Sequence, residues 1–135
     1  MFSALFITLC SYAIQSAAAQ GNVGPTVRNM TACAGSIDLA EGCVDIPIFS
    51  ASCIDFIGGF SFLNKEVSSV HVPYELVCTY FENFGCETEN AAIAVLPSGT
   101  WNMSDVPLGT DRRQNFDDLT SSVSCSHVRS GAPEI

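Results

Sequence analysis

Two adjacent carboxylates stand directly before a run of hydroxyl side chains near the carboxyl end of the chain. Asp117 and Asp118 open the stretch DDLTSS, which ends on Ser121 and Ser122. Carboxylate, hydroxyl and carbonyl oxygens from a flexible loop are the ligands that hard cations such as calcium prefer. The same side chains also stabilise ordinary turns by bonding to backbone amides. The stretch therefore predicts either a shallow cation site or a plain turn before a strand.

A similar stretch, NKEVSS at residues 64–69, occurs earlier in the chain, and 53 residues separate Ser68 from Ser121. Two cysteines precede each stretch. Cys78 lies 45 residues after Cys33, and Cys86 lies 43 residues after Cys43. An internal duplication with about ten residues inserted in the second copy explains these offsets, and chance is the alternative. The surplus fits best in residues 96–113, which are rich in Gly, Pro and Asp.

The elements around these stretches are predicted to be strands. Short apolar alternations are punctuated by Gly, Pro, Ser and Asn, which favours strands over helices. The clearest strands are ELVCTYFEN at 75–83, AAIAVL at 91–96 and SSVSCSHV at 121–128. In the last of these, Val123, Cys125 and His127 share one face.

The first residues predict secretion. An apolar stretch followed by Ala17-Ala18-Ala19 fits a signal peptide over residues 1–19, which leaves a single mature domain at 20–135 beginning with Gln20. Removing Cys10 with the signal leaves an even set, which predicts three disulfides in an oxidising compartment. The six cysteines are Cys33, Cys43, Cys53, Cys78, Cys86 and Cys125. A zinc site is disfavoured because the chain has no C-x-x-C pair.

Charge narrows the range of partners. Five basic against fourteen acidic residues give a net charge of −9, which disfavours nucleic acid and anionic membrane surfaces. No later segment approaches the length of a transmembrane helix. The sequons at Asn29 and Asn102 predict N-glycans and therefore surface positions.

The stretch CTYFENFGCET at 78–88 resembles the folded hairpin of βγ-crystallin Greek-key motifs, whose pattern is aromatic, four residues, aromatic, any residue, glycine. Phe81 matches the first aromatic, Cys86 replaces the second, and Thr88 stands where glycine is expected. DDLTSS matches the family's cation motif at every position. NKEVSS departs from it only at Lys65. The likeness covers about residues 31–125, and the added cysteines resemble the small secreted βγ-crystallin-like proteins of filamentous fungi.

This resemblance implies an all-β fold, an antiparallel two-sheet sandwich of two Greek-key motifs stabilised by disulfides. Motif one would span about 31–73 and motif two about 74–126, followed by a short tail at 127–135. The first and last strands of one Greek key in this family are antiparallel neighbours, which implies the pair Cys78–Cys125. The pairing of the other four cysteines stays open.

The resemblance also implies where calcium would bind. Its ligands would be the carbonyl of one motif residue with the hydroxyl at the fifth position. The candidates are Leu119 with Ser121, Glu66 with Ser68, Asp118 for charge, and Glu82 in the hairpin. Lys65 places a positive charge where the other repeat has Asp118. We therefore expect at most one weakly bound calcium, with a Kd of about 10⁻⁴–10⁻³ M, and no required cofactor.

An enzyme is not expected, because no Ser or Cys lies in the context of an oriented base and the adjacent aspartates would face opposite ways in a strand. Three functions remain open. The first is a secreted interaction module, effector or toxin-like, that acts on an extracellular protein or a cell wall. The second is a structural extracellular protein with a weak calcium site, and the third is an inhibitor of a secreted hydrolase. The predicted loop 96–113, with Trp101 as an exposed anchor, is the expected binding feature.

Overall fold

The computed structural model describes residues 28–49 and 51–128. The predicted signal peptide and most of the predicted tail lie outside these ranges. Within these ranges the chain forms eight strands, namely β1 (Arg28–Cys33), β2 (Cys43–Ile48), β3 (Cys53–Asp55), β4 (Ser69–Phe81), β5 (Ile93–Asn102), β6 (Val106–Leu108), β7 (Arg112–Gln114) and β8 (Ser122–His127). Two short 3₁₀ segments, Gly58–Leu63 and Phe84–Cys86, complete the regular structure, and no helix in the described ranges is long and apolar enough to cross a membrane.

All strand pairs are antiparallel. Six strands form one sheet in the order β2-β1-β4-β8-β3, with β5 also paired to β4. The short strands β6 and β7 form a separate two-stranded ribbon.

The long strands β4 and β5 bend together and divide the sheet into two layers. In the first layer, residues 69–72 of β4 lie between β1 and residues 99–102 of β5. In the second layer, residues 76–81 of β4 lie between β8 and residues 93–97 of β5. The register shifts between Val72 and Val77, where Glu75 has a φ of +71° and binds Arg28 across 3.1 Å. The curled sheet is therefore an antiparallel sandwich.

The core lies between the two layers because alternate residues of each strand face inward. Along β4 the sequence places Val70, Val72, Leu76, Cys78 and Tyr80 in the core. Burial of each large apolar side chain of this kind contributes about 1.5–3 kcal/mol to the stability of the fold.

Three disulfides fix the strands to one another. Cys33–Cys43 closes the β1–β2 hairpin, and Cys53–Cys86 ties β3 to the β4–β5 hairpin. Cys78–Cys125 joins β4 to β8, which confirms the pair that the family resemblance implied. Three disulfides indicate an oxidising environment.

The predicted loop at 96–113 is wrong. Its first part is the end of β5, and its later part is the β6–β7 ribbon. Pro97 and Gly99 lie within β5, Pro107 lies within β6, and Gly109 lies in the short turn before β7, so these residues do not mark one long loop. Trp101 is half-buried and packs against the core, and its indole N–H donates to the Pro97 carbonyl across 2.9 Å. It is therefore not the exposed anchor that the sequence suggested.

Candidate functional site

The two Ser-Ser turns face each other as a symmetric pair. The Lys65 N–H donates to the Thr120 carbonyl across 2.8 Å, and the Asp118 N–H donates to the Val67 carbonyl across 3.2 Å. Both donors occupy the second position of their motif, and both acceptors occupy the fourth. Lys65 and Asp118 also share a left-handed backbone, with φ values of +61° and +62°. The two motifs therefore lie side by side as structural equivalents with opposite charges at one position.

The fifth position of each motif anchors the end of a strand from the same repeat. The Ser68 N–H donates to the Cys33 carbonyl across 2.9 Å, and the Ser121 N–H donates to the Phe81 carbonyl across 2.8 Å. Cys33 is thus the counterpart of Phe81. The alignment of Cys33 with Cys78 that the sequence suggested is wrong, because the two repeats carry their cysteines at unequal positions.

The sixth position of each motif holds the hairpin that follows that strand. The Ser69 hydroxyl donates to the Gly35 carbonyl across 2.7 Å, and the Ser122 hydroxyl donates to the Asn83 carbonyl across 2.6 Å. Ser122 also accepts the Cys86 N–H across 3.0 Å. Both hydroxyls are buried, so each fixes a hairpin to the core.

The fifth-position carbonyls show where the second repeat is longer. Ser121 accepts the Phe56 N–H across 3.0 Å, and Ser68 accepts the Met103 N–H across 2.9 Å, so Phe56 and Met103 are equivalent. They are 47 residues apart, whereas the serines are 53 apart. The second repeat therefore carries six extra residues between these points, and the β6–β7 ribbon lies in that segment.

The ammonium of Lys65 lies at the centre of the candidate cation site. Its Nζ donates to the Glu82 carbonyl across 2.6 Å and to the Leu119 carbonyl across 2.9 Å. Both acceptors belong to the second repeat, and both residues were candidates for a calcium ligand set. The structure thus brings two of the predicted ligand residues together, with a lysine between them.

The other candidate ligands do not converge on this point. The Glu82 carboxylate accepts the Ala92 N–H across 2.9 Å and so stabilises its own hairpin. The side chains of Asp118 and Glu66 are exposed, Ser121 is buried, and Ser68 is half-buried. Within residues 28–49 and 51–128, no three His, Cys, Asp or Glu side chains gather around one point.

These positions decide how well calcium fits. In the second repeat, two backbone carbonyls face a cation position that the Lys65 ammonium already takes. A dication also needs negatively charged ligands, and the Glu82 carboxylate is directed to its hairpin. Calcium therefore does not fit the second-repeat position as these side chains stand. Calcium binding by the remaining candidates, Glu66 with Ser68 and Asp118, stays a prediction.

Three exposed apolar side chains, which sequence reasoning missed, lie on the two segments that follow β3 and β4. They are Ile57, Phe62 and Phe84, whose exposed fractions are 59, 46 and 45%. The Gly85 N–H donates to the Asp55 carboxylate across 2.7 Å, and the Cys53–Cys86 disulfide joins the same two segments. We call these three side chains the β3 patch. The stretch FIGGFSF at 56–62 is a local signal of apolar density, but only the hairpin contacts bring the segment of Phe84 next to β3.

The chain matches no protein-family model and no curated protein. Among solved structures, the N-terminal domain of protein S is similar, with a TM-score of 0.52 and 18% sequence identity. The match covers 76% of this chain and 100% of that domain. At this identity the likeness shows the fold alone. Together with the symmetric turns and the curled sheet, it shows a disulfide-stabilised sandwich of the βγ-crystallin type.

Proposed function

We propose that this chain is a secreted, non-enzymatic interaction module of the small fungal βγ-crystallin-like type, effector or toxin-like in its action. Its partner would be an extracellular protein or a cell-wall component. The β3 patch is the observation that carries the proposal. An apolar surface of large side chains beside a disulfide is a feature that binding explains better than stability does.

The patch has the energetic properties of a binding surface. Covering one exposed phenylalanine or isoleucine contributes about 1.5–3 kcal/mol when burial is complete. The Cys53–Cys86 disulfide and the Gly85 hydrogen bond fix the two segments before a partner arrives. A fixed surface loses little conformational entropy on binding. Rigid support of this kind therefore favours recognition of a partner.

Secretion rests on two independent features. Residues 1–19 have the pattern of a signal peptide. The six cysteines that remain in the mature chain all form disulfides, which persist in oxidising compartments. Both features agree with an extracellular module.

A non-enzymatic role agrees with the surroundings of the histidines. His71 Nδ1 lies 2.8 Å from the Thr100 hydroxyl on exposed strands of the first layer. A nucleophile and base need a third group that orients the base. Among the described residues, neither His71 nor His127 has a carboxylate as a hydrogen-bond partner. The roles of structural protein and hydrolase inhibitor stay alternatives that no separate feature favours.

The experiment uses the full chain secreted from a eukaryotic host. Amino-terminal sequencing should find a mature chain that begins at Gln20. The labelled protein is then screened against an array of extracellular proteins and against insoluble chitin and β-glucan. Phe84→Ser should weaken the binding it detects by at least about tenfold, the equivalent of 1.4 kcal/mol.

Leu39→Ser is the matched control, because Leu39 is 69% exposed on the equivalent hairpin of the first repeat. Its binding should equal that of the wild type. Equal losses in both variants, or binding indifferent to Phe84, would overturn the β3 patch as the binding surface. Intracellular retention of the chain would overturn secretion.

A further inference from the structure

We propose that the Lys65 ammonium takes the place of a metal ion in the second repeat and makes that half of the fold independent of calcium. The inference does not depend on the proposed function. It rests on the two carbonyls that face Nζ, those of Glu82 and Leu119, at 2.6 and 2.9 Å. The chain contains one lysine, and it stands at this position.

The backbone directs the lysine to this position. Residue 65 has a left-handed conformation, and its N–H is held by the Thr120 carbonyl across 2.8 Å. The side chain therefore starts beside the turn of the second repeat and reaches the carbonyls of that turn and of its hairpin. The same backbone arrangement in the other half presents Asp118. The two turns thus have the same backbone but carry opposite charges, those of Lys65 and Asp118. The half that Lys65 enters already has a cation, and the half that Asp118 enters does not.

An ammonium suits the second-repeat position on chemical grounds. It carries one charge and three donors, and two carbonyl oxygens can satisfy two of the donors without any carboxylate. Calcium takes six to eight oxygen ligands and depends on their negative charge. The nearby Glu82 carboxylate binds the Ala92 N–H instead. A second cation within about 5 Å of the ammonium is also repelled by it.

The bond network indicates what the tethered cation does. Glu82 begins the β4–β5 hairpin, and Leu119 lies in the turn before β8. Lys65 itself follows the 3₁₀ segment of the first repeat. One side chain thus links three segments from both repeats. Loss of the ammonium leaves two carbonyls without this donor and loosens the contact between the repeats.

The test compares wild type, Lys65→Met and Lys65→Asp by calorimetric titration with calcium and by thermal unfolding in the oxidised state. Lys65→Asp gives the second repeat a carboxylate like that of Asp118 and should bind one more calcium per chain than the wild type. Lys65→Met removes the charge but retains the length. Its Tm should fall by about 4–8 °C without calcium, as expected for the loss of one such contact in a domain of this size. Arg112→Met removes the same charge from the exposed ribbon and should leave the Tm unchanged.

A calcium stoichiometry equal in wild type and Lys65→Asp would overturn the proposal, and so would a Tm of Lys65→Met equal to that of Arg112→Met. A further measurement needs no variant, in case the substitutions prevent folding. The acetylation rate of the single lysine is read by mass spectrometry in the native and the urea-unfolded chain. The native rate should be at least about tenfold lower, because two hydrogen bonds hold the Lys65 nitrogen in the folded chain and are absent in the unfolded chain. Equal rates would contradict the proposal.

Discussion

Ser122 offers a sensitive test of how the second repeat is held together. Its hydroxyl donates to the Asn83 carbonyl across 2.6 Å and accepts the Cys86 N–H across 3.0 Å, and the residue is fully buried. Ser122→Ala removes both bonds and leaves two backbone groups without partners. A buried polar group without a partner costs about 1–3 kcal/mol. Because Asn83 lies in an exposed part of the hairpin, water can reach its carbonyl, and we expect a total of about 2–3 kcal/mol.

Urea unfolding of the oxidised protein measures this loss as a lower midpoint at an unchanged slope. Ser69→Ala, at the equivalent position of the first repeat, removes one bond and should cost about 1 kcal/mol. Ser124→Ala is the control, since its half-buried hydroxyl has no side-chain partner in the described part of the chain, and its effect should stay within about 0.5 kcal/mol. A Ser122→Ala variant as stable as Ser124→Ala would refute the role of the hydroxyl as a clamp. So would a larger loss in Ser69→Ala.

Three further predictions concern burial, the disulfides and the surface. Burial raises the pKa of the Tyr80 phenol far above 10, so the free energy of unfolding should hold below pH of about 10 and fall above it, where the unfolded chain ionises first. Tyr80→Phe, which removes a buried hydroxyl without a partner, should abolish most of that fall and stabilise the protein by about 1 kcal/mol; an undiminished fall would contradict this. Replacing Cys78–Cys125 by alanines should cost about 4 kcal/mol and replacing Cys33–Cys43 about 3, because the closed loops differ in length; urea midpoints in the reverse order would refute this. Both sequon asparagines are exposed, so secreted protein should lose mass on glycosidase treatment, and an unchanged mass would show that neither carries a glycan.

The strands and the paired turns could be predicted from the sequence because their signals are local. Ser68 and Ser121 lie in matching hexapeptides, and each makes the same backbone contact in the structure. Strand alternation likewise identified β8, where Cys125 faces the core and Ser126 faces solvent. The sandwich and the pair Cys78–Cys125 followed from the family resemblance of these local patterns.

The remaining features depend on contacts that no local pattern encodes. Cysteines can sit at unequal positions in two repeats, because a disulfide needs only a neighbouring partner, and so Cys33 was aligned with the wrong residue. The sequence predicts a loop where the ribbon of β6 and β7 lies, since Pro107 lies in β6 and Gly109 lies between the two strands. From the sequence, Lys65 is expected only to oppose calcium by its charge. Its hydrogen bonds reach the Glu82 and Leu119 carbonyls, which lie 17 and 54 residues away in the sequence, so no local pattern predicts them.

The direct test of the central claim is a crystal structure of the wild-type protein grown in about 10 mM calcium chloride, a concentration above the Kd of weak extracellular sites. We predict that Lys65 Nζ lies within hydrogen-bond distance of the Glu82 and Leu119 carbonyls, with no anomalous peak between them. An anomalous peak at that position, ligated by these carbonyls with the lysine turned away, would contradict the claim that the chain supplies its own cation.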